Sequence, residues 1–249
     1  MIVLNLNHYK TILEQFQASR DKHPESDGRK VPKDTSELPL GGIRTVKAAV
    51  LVLDIADSKK ANSSLGKLKF TEWIGLALHL FFHCVDDYNG LVDKYTGDGA
   101  MISFSLGSSA ERCQNARNCA LKISEILNKI LNPLYKSNNY RTMNLRIGID
   151  FGQIRIERIG KRATTHLIII GNAANYAKNI EQFAKNIDYV QNTALCMGYD
   201  VLYNIPVNER KFKDGTYKYK KITTFSGQSE MDKTKPYPIY QYNGRYLDD

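Results

Sequence analysis

Little in this sequence points to a cross-linked, fibrous or membrane-spanning protein. Its 249 residues hold four cysteines, Cys84, Cys113, Cys119 and Cys196, with no C-x-x-C or other metal-ligand spacing. They read as free thiols in a reducing compartment. Proline and glycine occupy only 7 and 17 positions, too few for a collagen-like repeat or a Pro/Gly-rich disordered chain. The most apolar stretch, Ile74 to Val85, is too short to span a bilayer and carries two histidines. The opening MIVLNLNHYK lacks the charged and long apolar regions of a signal peptide, so a soluble, cytoplasmic chain is expected. Acidic residues are also short: 26 Asp and Glu face 35 Lys and Arg, leaving a net charge of +9. That surplus favours a polyanionic partner: nucleic acid, an anionic membrane surface or a small phosphorylated ligand.

What is present reads as an α+β domain, helices covering a mainly antiparallel sheet. Residues 1–43 read as an N-terminal helix and polar arm, and residues 44–249 as a single domain. Tyr9, Ile12, Leu13 and Phe16 share one face of a helix over 8–20 that must dock on this chain or on a twin. From Asp21 to Gly42 the chain is polar and rich in Pro and Gly, as in a loosely held arm. Val46–Asp54 is a near-continuous apolar run, the pattern of a strand buried on both faces. A helix over 65–88 follows, then two short strands around Gly97-Asp98-Gly99, a strong hairpin signal. Ser108 or Ser109, with Glu111 behind, caps a helix reaching Leu131. Residues 143–160 alternate as a second hairpin turning at Gly152. A strand at 167–170, a helix over 171–185, and β-like runs near 217–225 and 237–242 complete the chain.

Two carboxylates stand out by context. Asp54 ends the buried strand and is followed by the small turn Ile55-Ala56-Asp57-Ser58; Asp98 sits at the hairpin tip. Singly, each is an ordinary strand-end or turn residue. If their strands are neighbours, the pair meets at one end of the sheet. Two hard oxygen ligands there are what a pair of Mg²⁺ or Mn²⁺ ions needs, and backbone amides of the turn favour phosphate.

These residues reach a known family. AVLVLDIADS resembles the first strand and metal loop (D-I-x-G) of class III nucleotidyl cyclases, and VDKYTGDGAMISF resembles their second metal motif. LRIGIDFGQI and IIIGNAANYAKNIE are similar to two further family segments, in the family's order. The resemblance implies a ferredoxin-like βαββαβ core and a head-to-tail homodimer with active sites at the interface. It implies two Mg²⁺ or Mn²⁺ ions per site on Asp54, Asp98 and the Ile55 carbonyl, with Ala56, Asp57 and Ser58 against the phosphates. It places Asn175 on the ribose, and Lys94 and Ile168 at the base-reading positions.

Three departures shape the expected substrate. The family's transition-state Arg falls on Asn179, beside Lys178; Lys178, Lys161 or Arg162 are the cations that can replace it. Ile168 stands where adenylate cyclases carry a polar residue that accepts from the adenine amino group. Asp57-Ser58-Lys59 replaces the usual Gly-Phe-Thr, as in the stand-alone bacterial cyclases of the Pycsar anti-phage system, which make cyclic UMP or cyclic CMP. The expectation is a pyrimidine cyclase, UTP favoured over CTP, signalling to a separate effector in phage defence. Its rivals are an adenylate cyclase, a catalytically silent nucleotide-binding domain and a basic RNA-binding module. The last is disfavoured because the aromatic and basic tail carries no RNA-binding motif. His79 and His83 lack the further ligands of a zinc site.

Overall fold

The computed structural model describes residues 6–160, 165–228 and 236–244. Helix α1 (Leu6–Asp21) leads into an arm with a two-residue strand, β1 (Ser26–Asp27), and a 3₁₀ turn at Thr35–Glu37. Then come β2 (Ile43–Ile55), α2 (Ser58–Leu65), α3 (Lys67–Asp87), β3 (Leu91–Tyr95), β4 (Gly99–Phe104) and α4 (Ser109–Ile126). A π turn at Leu127–Leu131 carries α4 into α5 (Asn132–Ser137). The chain continues through β5 (Leu145–Ile159), β6 (His166–Ile170), α6 (Asn172–Phe183), β7 (Thr193–Gly198), α7 (Tyr199–Asn204), β8 (Tyr219–Gln228) and β9 (Pro236–Tyr242).

Among the described residues these strands make one sheet ordered β3-β4-β2-β5-β7-β9-β8, with β1 on β2 and β6 on β5. The segment from β2 to β5 is the expected ferredoxin-like βαββαβ unit, with antiparallel neighbours β3–β4, β4–β2 and β2–β5. Strand β2 shows why its sequence is apolar throughout. Ala49, Leu51, Leu53 and Ile55 join the core beneath α3 and α4, while Val46, Ala48, Val50 and Val52 join a second core beneath α6. A strand buried on both faces has no alternation to offer.

The structure corrects several expectations. Residues 143–160 do not turn at Gly152. They run as one fifteen-residue strand whose pairing with β2 is unbroken from Ile43–Glu157 to Ile55–Leu145, with Gly152 opposite Ala48. Alternating burial is the same signal for one long strand as for two short ones. The helix expected over 65–88 is two helices, starting at Ser58 and broken at Gly66, whose φ of 77° suits glycine. Strand β7 and helix α7 were not anticipated from the sequence. The arm is docked, not loose: β1 pairs in parallel with Arg44–Thr45, Val31 and Leu38 are buried, and the Val31 amide donates to Ser105 Oγ at 2.9 Å. Helix α1 is tied at its C-terminal end, where Ser19 Oγ donates to the Leu40 carbonyl at 2.7 Å; Ile12 and Leu13 stay exposed. The capping box between Ser108 and Glu111 forms, all four cysteines are free and buried, and His79 and His83 stack edge-on on an exposed face of α3.

Helix α6 lies directly on β5. A methyl group at Gly148 would stand 2.2 Å from the Ala177 carbonyl oxygen and 2.4 Å from the Glu181 amide nitrogen, both backbone atoms that cannot step aside. Gly148→Ala is expected to cost about 3 kcal/mol, at the upper end for an overpacked core, by lifting α6 from the sheet. Urea denaturation checks this through a lower midpoint at unchanged slope.

Candidate active site

Strand pairing brings the two carboxylates together. Asp54 lies opposite Gly99 in the β2–β4 ladder, and the Ile55 amide donates to the Asp98 carbonyl at 3.2 Å. Gly99 is required at that crossing: a Cβ there would sit 2.2 Å from the Leu53 carbonyl oxygen. Ser58, at the start of α2, donates its hydroxyl to Asp98 Oδ2.

An ion-pair chain backs the pair. Arg146, opposite Asp54 on β5, bonds Asp54 Oδ2 through Nη2, and its Nε bonds Glu181 Oε1 at 3.1 Å. Glu181, on α6, has no exposed side-chain surface; its other oxygen accepts from Lys178 Nζ at 2.7 Å. Burial, then the negative charges of Glu181 and Asp98, push the Asp54 carboxyl above its ordinary range against the opposing pull of Arg146. Glu181 and Asp54 hold Arg146 charged despite burial.

These groups face a cavity of about 440 Å³ lined by Asp54, Ile55, Asp98, Arg146, Lys185 and the stretch from Asp57 to Lys60. Asp57, in the left-handed region at φ 57°, turns the chain into α2 and pairs with Lys60 at 3.0 Å. The amides nearest Asp54 are not available to an anion: Ile55 uses its N–H on Asp98 and Ala56 donates to the Asn144 carbonyl at 2.9 Å. The amides that face outward are those of the first turn of α2, Ser58 to Lys60.

Other expected residues lie apart. Lys94 and Ile168 line a second cavity, of about 140 Å³, that shares no lining residue with the first. Asn175 and Asn179 sit one turn apart on the exposed face of α6. Lys161 and Arg162 lie outside the described residues. Arg146, Glu181 and Lys185 were not singled out from the sequence. The signal was present for Arg146, a charged residue inside an otherwise buried strand end; Glu181 gave none, because an acid in a polar helix reads as solvated.

Among the described residues no group of three or more His, Cys, Asp or Glu gathers around one point. The donor set is nonetheless suited to hard divalent cations: two carboxylates and a backbone carbonyl at a cavity mouth, with the Asp54 charge destabilised by its acidic neighbours. Such a set leaves the remaining coordination positions to phosphate oxygens and water.

The chain matches the family described as "Adenylate and Guanylate cyclase catalytic domain" over residues 44–225. A uridylate cyclase from Burkholderia cepacia is 31% identical over 147 residues, spanning 57% of this chain and 62% of that protein. A uridylate cyclase from Xanthomonas perforans is 24% identical over 228 residues, spanning 89% of this chain and 90% of that protein. The adenylyl cyclase CyaB from P. aeruginosa superposes with a TM-score of 0.62 at 19% identity, over 80% of this chain and 95% of that one, a likeness of fold. No helix among the described residues is long and apolar enough to cross a membrane.

Two neighbours in one salt bridge should respond oppositely to neutral substitution. The fold disfavours ionised Asp54, so this carboxylate costs stability above about pH 4, where the unfolded chain is ionised. Asp54→Asn is expected to hold or raise the melting temperature of the metal-free protein at pH 7. Arg146→Met leaves Glu181 buried with one partner and should cost about 3 kcal/mol. Thermal and urea unfolding of the two variants check both signs.

Proposed function

Because this chain belongs to the adenylate and guanylate cyclase catalytic-domain family, we propose that it is a nucleotidyl cyclase acting on a pyrimidine nucleoside triphosphate, with UTP its preferred substrate. One observation carries the chemical part: Asp54 and Asp98, with Asp57, share one cavity with Lys59, Lys60, Arg146 and Lys185. Carboxylates among cations suit a triphosphate that arrives with its metals. The preference for UTP is supported by the two uridylate cyclases the chain resembles and by apolar Ile168 at a base-reading position.

Asp54, Asp98 and the Ile55 carbonyl would hold two Mg²⁺ or Mn²⁺ ions, whose charge acidifies the ribose 3′-hydroxyl and offsets that of the phosphates. The chain positions everything else. Lys59, Lys60, Lys185 and the first-turn amides of α2 hold the β- and γ-phosphates. Arg146, fixed by Glu181, stays charged beside them. The 3′-oxygen attacks the α-phosphorus in line, the bond to the bridging oxygen breaks, and pyrophosphate leaves. Alignment and charge carry such a reaction.

The separation of the two cavities supports a site divided between subunits. In a head-to-tail homodimer, Asp54 and Asp98 of one copy face Lys94, Ile168, Asn175 and Lys178 of the other. Lys178, already paired with Glu181, is the cation on α6 placed to compensate for Asn179.

Purified protein incubated with Mn²⁺ and each ribonucleoside triphosphate should yield mainly cyclic UMP by mass spectrometry, with activity lost in Asp54→Ala and Asp98→Ala. Cyclic AMP as the main product would reassign the substrate; nucleotide binding without any cyclic product would make the domain catalytically silent. Mixing Asp98→Ala with Asn175→Ala subunits should restore about one quarter of wild-type activity, one intact site in each mixed dimer. Lys178→Ala should lower turnover more than Asn179→Ala, and the reverse ranking would reject Lys178 as the compensating cation.

A further inference from the structure

The second cavity holds an unused polar group. Strand β3 carries a bulge against β4: Val92 pairs with Ile102 and Lys94 with Met101, leaving Asp93 between them unpaired. In a regular strand Asp93 and Lys94 would point to opposite faces; here both line the cavity. Asp93 Oδ1 accepts a long hydrogen bond from Ser103 Oγ at 3.3 Å, while Oδ2 is buried with no hydrogen-bond partner. Burial pushes its carboxyl up to about 7, although Ser103 and the Lys94 charge act in the other direction. In its ionised form, which the Lys94 charge favours, this buried acceptor is completed by a ligand that brings an N–H.

The rest of the cavity restricts that ligand. Its charged lining consists of Lys33, from the docked arm, with Asp93 and Lys94; the remaining walls are apolar, Val31, Met101 and Ile168 among them. Its volume of about 140 Å³ is close to the roughly 150 Å³ in which one benzene ring is held, so it suits a single six-membered ring better than a fused purine. Lys33 and Lys94 bring donors and Asp93 an acceptor, so this lining can offer a donor–acceptor–donor set. Uracil presents the complementary order at O2, N3–H and O4. Cytosine presents two acceptors and then a donor, and adenine pairs one acceptor with one donor.

Resting on the cyclase reading above, we propose that Asp93 is the base-selecting residue of the active site, accepting the uracil N3–H while Lys33 and Lys94 donate to the flanking carbonyls. The acceptor that reads the base then comes from the bulge of β3, across the cavity from Ile168, and one donor comes from the arm.

The test measures binding separately from turnover. 3′-Deoxy-UTP and 3′-deoxy-CTP lack the attacking hydroxyl and differ only in the base. Calorimetric titration of the full chain with each, in Mg²⁺, gives a preference ratio that a general loss of folding or phosphate affinity does not move. Wild type should prefer the uracil nucleotide by about tenfold or more, the scale of one lost hydrogen bond. The isosteric Asp93→Asn should abolish or reverse that preference, because its amide offers the ring a donor. Lys33→Ala, on an exposed arm residue, should lower the preference about threefold without unfolding the protein, and decides the matter if Asp93→Asn does not fold. An unchanged ratio in both variants, with cyclic UMP still made by wild type, overturns the assignment and leaves the cyclase reading standing. A chain that binds neither nucleotide and makes no cyclic product overturns both.

Discussion

Glu181 has no exposed surface, and a carboxylate in that position must be neutralised by whatever the fold sets around it. Arg146 and Lys178 do so, and Arg146 is shared with Asp54 at the cavity mouth. The arrangement exists because α6 rests on β5 at Gly148, close enough that no side chain fits between them. Backbone packing at one glycine therefore sets the height of Glu181, Glu181 sets the guanidinium, and the guanidinium sets the Asp54 carboxylate at the cavity. The network is also uneven. Asp54 carries more negative neighbours than its one cation offsets, a poor arrangement for stability and a suitable one for receiving metal and phosphate.

Positive charge in this protein is consequently local. A surplus of nine over the whole chain describes its surface, but near the cavity Arg146, Lys178 and Lys60 each share their charge with a neighbouring carboxylate, and position 179 is an asparagine. Net charge ranks classes of partner; the pairing of each cation sets how much of its charge a ligand meets.

Much of the frame could be read from sequence for plain physical reasons. An apolar run without alternation demanded burial on both faces, and β2 has it; Asp98 between two glycines demanded a hairpin, and its register placed the acid beside Asp54. Where the reading failed, one pattern admitted two structures. Period-two alternation is identical in a hairpin and in a fifteen-residue strand, and Gly152 fits both. The arm from Asp21 to Gly42 has the composition of a linker, yet Val31 and Leu38 suffice to bury part of it. Glu181 and Asp93 were invisible because burial of a lone acid depends on tertiary neighbours, and the bulge that turns Asp93 inward is a matter of pairing with β4.

The arm bears on how a preference for one base could change over time. It lies ahead of the stretch that matches the family, residues 44–225, and is held by a two-residue pairing to β2, two buried aliphatic side chains and a few hydrogen bonds. The pairing meets β2 at Arg44–Thr45, the end of the β2–β5 ladder far from Asp54. Lys33, exposed on the arm, can therefore be exchanged while that ladder stays intact, so its side of the smaller cavity is modular with respect to the rest. An expression boundary drawn at the edge of the shared domain would discard that wall.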